Sequence, residues 1–557
     1  MLDKVRIIPL GGNDERGKSL IVVEINDDIF VVECGMKYPD KTLHGIDYII
    51  PRFDYLIENK DKVRGYFITR GHDVVLGGLA YIYKRVPAPI FCSDVTKVFI
   101  ESFAKHNHIS ISYDFHILKP NDEVRIKDRL IRFFQTATNM ANSSGVAIST
   151  DGGNIIVLTD FVIDNNSDEG YRSNTQMLAT IAKEKTLAAL FDSYYAEHSG
   201  YTNPKYKIVP LVERVFKEAP GRIFIALENQ DAYNIEKIIQ YAIRCKRKII
   251  AFDESSIETF KKVTESHPLA LPKDCVASLD DVNRIRPQNV LVIMTGFGSR
   301  LFHKIQLFAS GKSEDKRLRL NTDDTFIMGV PNNISTETIF TDTIDELYHN
   351  DCHIVYFKKW EFVKMHPSEE DIKTKLATFR PNYYIPINGT FKELLANART
   401  ALDMNVGLNH TNVFILDNGM VLEIDANGAH ISREKVLTGD LLVDGKDIGE
   451  QDNAIVQERN TLSDEGVVIL GAVVSKSKRK IVAGVDIQTR GLVYVKESES
   501  LFKEMNKLFT MTLESELAKP DYDIRSLETN VKDAMFRLIR RVTMKSPMII
   551  PIIQEIE

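Results

Sequence analysis

Short apolar segments recur along this chain and constrain the folds it can adopt. In the first 200 residues two of them, LIVVEI (20–25) and IFVVEC (29–34), flank Asn26, Asp27 and Asp28. Two such segments around a polar turn predict a β-hairpin. Further strands are predicted at 65–69, 89–92 and 154–160, and LGGLAYIYKRV has helical periodicity. We therefore expect a strand-rich α/β layer structure here.

From about residue 205 to 355 the pattern changes to an alternation of strands and helices. RIFIAL (222–227) is followed by a helical repeat with Ile235, Ile238, Ile239 and Ala242 on one face. Three more apolar strands, in NVLVIMTG, DTFIMGV and HIVYF, follow KIIAF (248–252). Apolar strands separated by helices predict a parallel sheet covered on both faces.

The last third of the chain contains three kinds of pattern. NYYIPIN (382–388), the helical TFKELLANARTALDMN and then NVFIL predict a β–α–β unit. A stretch rich in Gly and Asp (438–453) predicts a linker. GVVILGAVV, KIVAGVDI and GLVYV, with a helix at ESLFKEMNKLF, predict a small C-terminal α+β domain.

Composition excludes several classes of protein. At 557 residues the chain is too long for a single core, so several domains are expected. The net charge of −7 provides no general positive field, so any nucleic-acid binding must come from a local groove. Five scattered cysteines without a CxxC pair argue against a disulfide framework or a zinc ribbon and indicate a reducing cytoplasm. No apolar run is long enough for a membrane span.

The stretch FITRGHDVVLGG (67–78) follows a predicted strand and contains one histidine. It is similar to the zinc loop of the metallo-β-lactamase fold, in which a strand ends in T-H-x-H-x-D-H before two glycines. Histidines and an aspartate on one loop can hold two metal ions that activate a water. Here the frame remains on both sides, but Arg70, Val74 and Val75 occupy ligand positions. A loop that contains a single histidine is, without other ligands, usually not a metal site.

Further motifs extend this likeness over the whole chain. IIPLGG (7–12), VVECGMKYPD (31–40) and GIDYIIP (45–51) resemble the opening of bacterial ribonuclease J. TGFGSR, PNYYIPINGTFKELL, VQERNTLSDEGVV and TRGLVYVKESE match later landmarks of that family in the same order. Firmicutes often carry two paralogues that associate, and the chain resembles the second, degenerate one.

The resemblance implies an α/β fold, namely a metallo-β-lactamase αββα sandwich with an inserted β-CASP α/β domain and a small α+β C-terminal domain. The implied limits are 1–205 and 356–437 for the metallo-β-lactamase domain, 206–355 for the β-CASP domain, 438–462 for a linker and 463–557 for the C-terminal domain. Family members hydrolyse RNA with two divalent ions, Zn with Mn or Mg also supporting activity, as 5′–3′ exonucleases and endonucleases in mRNA decay and rRNA maturation.

The seven metal ligands of the family map onto Arg70, His72, Val74, Val75, Thr138, Asp160 and Asn388. Only His72 and Asp160 keep their identity. Valine offers no donor atom, and arginine stays charged with no lone pair to give. At about 5 Å and an effective dielectric constant of about 20, its repulsion from one divalent ion is on the order of 6–7 kcal/mol. We therefore expect no di-metal site and no bound cofactor.

Two alternatives remain for Arg70. Its guanidinium either fills the vacated position and pairs with Asp160 or Asp73, or it points to solvent. The substrate-binding H-x-S-G-H segment of the family maps onto Phe362, Val363, Lys364, Met365 and His366, of which His366 survives as a residual catalytic candidate.

Other landmarks are weaker. The family's Ser-Asn pair for a 5′-phosphate maps loosely onto Gln230 and Asp231, where a carboxylate would repel phosphate. Arg300 is expected at the surface. Trp360, the only tryptophan, is expected in the core rather than as a base-stacking platform.

Three functions stay open at this point. The first is an inactive or weakly active cytoplasmic subunit that forms a hetero-oligomer with an intact ribonuclease J paralogue, or a homodimer or tetramer alone, and helps to position RNA. The second is a weak metal-dependent ribonuclease in which His72, Asp160 and His366 hold one ion. The third is a metal-free RNA-binding module, which the charge of −7 disfavours.

Overall fold

The fold comes from a computed structural model. It describes residues 3–39, 43–119, 121–164, 169–266, 271–272, 274–313, 315–332, 336–445, 447–450, 454–492 and 499–557. The chain divides into two compact units, Met1–Lys37 with Ile50–Asp440 and Tyr38–Ile49 with Leu441–Glu557. Each unit is described by itself.

The strands up to the middle of the chain are β1 (Val5–Gly11), β2 (Leu20–Ile25), β3 (Asp28–Val32), β4 (Tyr48–Pro51), β5 (Val63–Phe67), β6 (Ile90–Cys92), β7 (Phe115–Ile117), β8 (Glu123–Ile126), β9 (Arg129–Gln135), β10 (Ser144–Thr150), β11 (Gly153–Leu158) and β12 (Thr186–Asp192). The later strands are β13 (Ile223–Glu228), β14 (Lys248–Ala251), β15 (Val290–Gly296), β16 (Thr325–Met328), β17 (His353–Val355), β18 (Tyr383–Ile387), β19 (Met420–Asp425), β20 (Gly428–Lys435), β21 (Asp440–Asp444), β22 (Asp447–Glu450), β23 (Val467–Ser475), β24 (Lys480–Arg490) and β25 (Met548–Ile556).

The helices are α1 (Asp54–Glu58), α2 (Asp73–Leu76), α3 (Leu79–Arg85), α4 (Asp94–His106), α5 (Thr175–Ala182), α6 (Val209–Glu218), α7 (Ala232–Arg244), α8 (Glu254–Ser266), α9 (Gly298–Ala309), α10 (Glu337–Tyr348), α11 (Glu369–Phe379), α12 (Phe391–Asp403), α13 (Ala454–Asp464), α14 (Glu499–Leu517) and α15 (Ile524–Thr543). Three short 3₁₀ helices lie at Lys60–Lys62, Leu279–Arg284 and Pro287–Asn289. Among the helices described, none is long and apolar enough to cross a membrane.

Two sheets packed face to face form the larger part of the first unit. Their strand orders are β20-β19-β1-β2-β3-β5-β6-β7 and β18-β12-β11-β10-β9-β8. Apolar side chains from both sheets, such as Val23 and Phe67 from one and Phe133 and Val157 from the other, share one core. Because strand side chains alternate between faces, the opposite face of the second sheet is also apolar and packs against α5, α11 and α12. On the first sheet, Tyr66 of β5 contacts Tyr83 of α3. The result is an αββα sandwich.

A parallel five-stranded sheet lies between β12 and β18 in the chain. Its order is β14-β15-β13-β16-β17, and all of its pairs are parallel. Helices α9 and α10 cover one face, and α6, α7 and α8 cover the other. The predicted parallel sheet is therefore confirmed, as is the hairpin, since β2 pairs with β3 and Ile25 lies opposite Asp28.

The second unit has its own core. Strand β23 is central in the order β24-β23-β25, and one face of this sheet packs against α14 and α15. The hairpin of β21 and β22 and the beginning of β4 form a separate small sheet.

Some local expectations differ from the structure. The segment expected to be a linker, 438–462, contains β21, β22 and most of α13. NVFIL forms no strand, because only Val413 makes an isolated bridge, to Tyr384. Most of GLVYV lies outside the described residues. The other domain limits stay predictions.

Truncating the core at Phe67 should destabilise the first unit. Phe67 is fully buried, stacks on Phe91 at 5.0 Å and lies 6.1 Å from Phe133 of the facing sheet. We expect Phe67→Ala to cost about 3–5 kcal/mol, because it removes contacts on both sides of the sandwich. Thermal denaturation followed by circular dichroism measures the change. Tyr348→Ala, an exposed aromatic at the end of α10, is the matched control and should leave the transition in place. Equal shifts for both variants would contradict this packing.

Candidate functional site

The loop after β5 begins the site. His72 precedes α2, and its Nδ1 accepts a hydrogen bond from the backbone N–H of Val74 at 3.3 Å, so the imidazole caps the helix. Burial, and next the positive charge of Arg70, hold the pKa of His72 well below its usual value. His72 is therefore neutral and uses one of its two ring nitrogens within the loop.

Arg70 is buried beside Asp160. Its side chain is 3% exposed, that of Asp160 is 1% exposed, and Arg70 Nη1 lies 3.1 Å from Asp160 Oδ2. The same Nη1 donates to the carbonyl of Thr159 at 3.3 Å. Of the two alternatives for Arg70, the structure contains the ion pair with Asp160.

Three potential ligand groups meet next to this pair. One ligand atom from each of Asp160, Asp192 and His366 lies within 4.8 Å of the others. Strands β11 and β12 are parallel neighbours, and both carboxylates lie where these strands end. His366 Nδ1 approaches Asp160 Oδ1 at 3.1 Å, and its ring lies 4.3 Å from that of Tyr194. The sheet topology therefore brings these groups together from distant parts of the sequence.

The two aspartates have opposite protonation tendencies. Burial opposes ionisation of Asp160, but the charges of His366 and Arg70 outweigh it and lower the pKa of Asp160. Burial and the nearby charge of Asp160 raise the pKa of Asp192 well above its usual value. The negative charge of the two carboxyl groups is therefore held mainly on Asp160, next to His366 and Arg70.

Glu33 lies beneath the loop. Its carboxyl group accepts hydrogen bonds from the Thr69 and Thr159 hydroxyls, the second at 2.8 Å, and from the Thr69 N–H at 3.2 Å. Complete burial raises the pKa of Glu33 to about 7, against the opposing effects of these bonds and of Arg70. The carboxyl group ties the ends of β3, β5 and β11 together under the pocket.

Arg70, His72, Asp192 and His366 line one common pocket. Arg16, Arg70 and Lys364 bring positive charge to it, and Glu228 binds the Lys364 ammonium at 2.8 Å. Burial opposes the charge on Lys364, but the attraction of Glu228 outweighs it and raises the pKa of the ammonium. Lys364 is therefore charged at the pocket wall.

Most of the predicted site residues reach this pocket. Those that line it are Arg70, His72, Val74, Val75, Gln230, Asp231, Lys364, Met365, His366 and Asn388. Thr138 is instead buried and bonded to Ser143 and Met140, while Phe362 belongs to a hydrophobic core. Val363 is partly buried, and Arg300 is exposed as predicted.

Two central residues were missed. Asp192 ends the apolar run TLAALFD as Asp160 ends VLTD, but only the parallel register of β11 and β12 makes them neighbours. Glu33 directly follows the apolar strand β3, and nothing in the surrounding sequence indicated that its carboxyl group belongs to the site. The likeness of the two strand endings was the one signal that could have identified Asp192.

The side chains around the loop do not fit a pair of divalent ions. Two such ions need several oxygen or nitrogen donors each, and Val74 and Val75 present hydrocarbon to the pocket. The guanidinium of Arg70 occupies the position next to Asp160 and has only N–H groups to offer. Within the described residues, only the group of Asp160, Asp192 and His366 could hold a metal ion by geometry.

Comparison with known proteins identifies the family. A model of the ribonuclease J β-CASP domain matches residues 220–347, and one of the ribonuclease J C-terminal domain matches residues 454–556. The chain is 28% identical to ribonuclease J 2 of Staphylococcus epidermidis and 29% identical to ribonuclease J 2 of Staphylococcus aureus. Both alignments span 99% of this chain and 98% of the relative. This chain belongs to the ribonuclease J family.

Family membership accounts for the architecture. The αββα sandwich is the metallo-β-lactamase part, and the parallel sheet inserted between β12 and β18 contains the β-CASP match. A crystal structure of a protein of unknown function from Enterococcus faecalis V583 is also similar in fold. It has a TM-score of 0.51 and 12% identity over 75% of this chain and all of that chain. The expected fold class is confirmed.

Glu33 should make stability depend on pH. Its pKa is raised from 4.5 to about 7 in the folded chain, so folding favours the protonated form. The contribution of Glu33 to stability is therefore full below about pH 4.5 and is lost as the pH rises to about 7, a change on the order of 3 kcal/mol. Glu33→Gln, which has no such titration, should gain stability relative to the wild type between pH 5 and pH 8.

Melting temperatures at the two pH values test this. Glu58→Gln, on an exposed helix end, is the control and should follow the wild type at both. A constant difference between Glu33→Gln and the wild type across the range would mean that Glu33 is ionised throughout.

Proposed function

We propose that this chain is a ribonuclease J family subunit with little or no nuclease activity of its own, which helps to position RNA and assembles with a catalytically intact ribonuclease J paralogue. The observation that carries the proposal is the buried ion pair of Arg70 and Asp160. In the family, two divalent ions bridge the loop to this aspartate. Here a fixed positive charge on the protein takes that place.

The charge arrangement supports a loss of metal-dependent hydrolysis. Arg70 repels incoming divalent ions, and His72, whose Nδ1 caps α2, keeps only its other nitrogen for a ligand. Asp192 is held in its neutral form by burial and by Asp160. Each of these features weakens metal binding, and the valines at 74 and 75 supply no donor to compensate.

The pocket nevertheless keeps features that suit a polar ligand. Among the described residues, Arg70 Nε, Gln230 Oε1 and Asn388 Oδ1 are buried without a hydrogen-bond partner. Such atoms usually find partners, so a ligand or ordered water would stabilise them. Arg16 lies 4.5 Å over the ring of Tyr194 at the same pocket. These groups support positioning of an RNA chain rather than its cleavage.

Assembly is the second part of the proposal. A protein–protein interface depends on the shape of the domains and not on metal ions. The chain retains the whole architecture while its residues at the metal-ligand positions differ from those of the family, and this favours a structural role in an assembly. The cellular roles proposed are those of the family, mRNA decay and rRNA maturation in the cytoplasm.

A weak ribonuclease is the second candidate. The observation in its favour is the group of Asp160, Asp192 and His366, which could hold one Mn²⁺ or Mg²⁺ with water completing the shell. This candidate requires a divalent ion to approach the Arg70 guanidinium and Asp192 to ionise against its raised pKa. Both changes carry a free-energy cost at neutral pH, so we rank it below the subunit function.

Metal content and RNA hydrolysis distinguish the two. We expect chelator-treated wild type to bind less than stoichiometric Mn²⁺ by mass spectrometry of metals, and not to cleave a 5′-monophosphorylated RNA. Arg70→His/Val74→Asp/Val75→His supplies donors and removes the cation, so it should bind more metal than the wild type.

The matched control is Arg70→Met/Val74→Leu/Val75→Leu, which removes the same cation without adding donors and should stay metal-poor. Stoichiometric metal in the wild type, with cleavage that disappears in Asp160→Ala, would replace the subunit function by the weak ribonuclease.

A further inference from the structure

The segment from β17 to the pocket has an unusual composition. Residues 356–364 read YFKKWEFVK, with three lysines, one glutamate and four aromatic residues. Trp360 is 65% exposed, which overturns the expectation that it lies in the core. Tyr356 is also exposed, at 46%, while Phe362 is buried. The segment therefore presents aromatic rings to solvent between positive charges.

We propose that Trp360, preceded by Lys358 and Lys359, is a stacking site for a base of single-stranded RNA on its way to the pocket. The indole offers a flat face to the base, and the two ammonium groups meet phosphates of the same strand. This inference rests on the proposed RNA-positioning function and adds to it the place where the strand is held.

The turn that carries Trp360 is anchored rather than loose. The backbone N–H of Lys358 donates to Glu361 Oε2 at 2.9 Å, and the N–H of Glu361 donates to the carbonyl of Lys358 at 2.9 Å. Phe357 packs edge-on against buried Phe362 at 5.7 Å. Because the turn is fixed from both sides, stacking on Trp360 requires little ordering of the chain.

The lysines are available for phosphate. The Lys358 ammonium lies over one face of the Trp360 ring, 5.3 Å from its centroid, so the opposite face is the one offered to a base and the ammonium lies beside it for a phosphate. Lys359 pairs with Glu337 at 2.7 Å, and both side chains are about half exposed. An exposed pair of this kind contributes little and can exchange for a phosphate.

The platform lies close to the pocket. Lys364, four residues after Trp360, lines the pocket wall. Four residues of extended chain span at most about 14 Å, so the Cα atoms of Trp360 and Lys364 are no farther apart than that. A strand a few nucleotides long can therefore reach from the indole to Lys364.

Charge favours RNA over a protein partner. Exposed tryptophans also occur at protein interfaces, but lysine is depleted there. Here two lysines precede the ring and a third follows within four residues, against one glutamate, so the segment has a net positive charge. In a chain with a net charge of −7, such a local positive segment is the kind of feature that RNA binding requires.

The experiment uses Trp360 as its own reporter, since it is the only tryptophan. The full chain is titrated in EDTA with a 12-nucleotide oligouridylate, and tryptophan fluorescence is followed together with the anisotropy of the same RNA carrying a 5′ dye. We expect saturable quenching at the concentration where anisotropy rises.

Trp360→Ala should weaken binding about tenfold, while Trp360→Phe, which keeps a stacking face, should weaken it less. Lys358→Ala/Lys359→Ala should weaken binding and make it less dependent on salt.

Tyr348→Ala is the matched control, because this exposed tyrosine lies at the opposite end of α10 from Glu337 and should leave RNA affinity unchanged. RNA binding without quenching, and with equal affinity in Trp360→Ala, would overturn the stacking site and leave RNA positioning intact. No RNA binding at all would overturn both. A fluorescence change caused by another protein chain, such as an intact paralogue, but not by RNA, would assign this surface to a protein partner.

Discussion

The buried ion pair between Arg70 and Asp160 is the interaction on which the arrangement of the candidate site depends. Burying a guanidinium is expensive unless a carboxylate lies beside it, and Asp160 at the end of β11 provides that carboxylate. In return, His366 and Arg70 together lower the pKa of Asp160 in a place where burial favours the neutral acid. Each residue therefore offsets the free-energy cost of burying the charge of the other.

The position of this pair follows from the sandwich. Parallel neighbours β11, β12 and β18 end at the same edge of their sheet, so the residues that follow them converge on one pocket. Glu33 links this edge to the facing sheet through Thr69 and Thr159. The inserted parallel sheet closes the pocket with Glu228 and Gln230, and the segment after β17 brings Lys364 and His366. The strands therefore still bring these residues to one pocket, although the loop after β5 has side chains different from those of the family.

Much of this could be predicted from the sequence, because it depends on local pattern. The hairpin at Asn26 and the parallel order of the inserted sheet follow from periodicity. The pairing of Arg70 with Asp160 was only one of the alternatives that the sequence left open, beside Asp73 and solvent. Asp192 could not be assigned to the site from the sequence, because only the register of two parallel strands brings it next to Asp160. Trp360 was expected in the core, because composition does not say which face of a short turn is covered. NVFIL has a strand-like composition, but only Val413 finds a partner.

The account rests on Arg70 rather than a metal ion being the partner of Asp160. A double-mutant cycle of Arg70→Met and Asp160→Asn, measured by denaturation in EDTA and again in Mn²⁺, tests this most directly. We predict a coupling free energy of more than about 1 kcal/mol, because each single change leaves the other group buried and unbalanced. It should be the same in both conditions. Additive effects, or a coupling that disappears in Mn²⁺, would contradict the account, since the carboxylate would then be held by something other than the guanidinium.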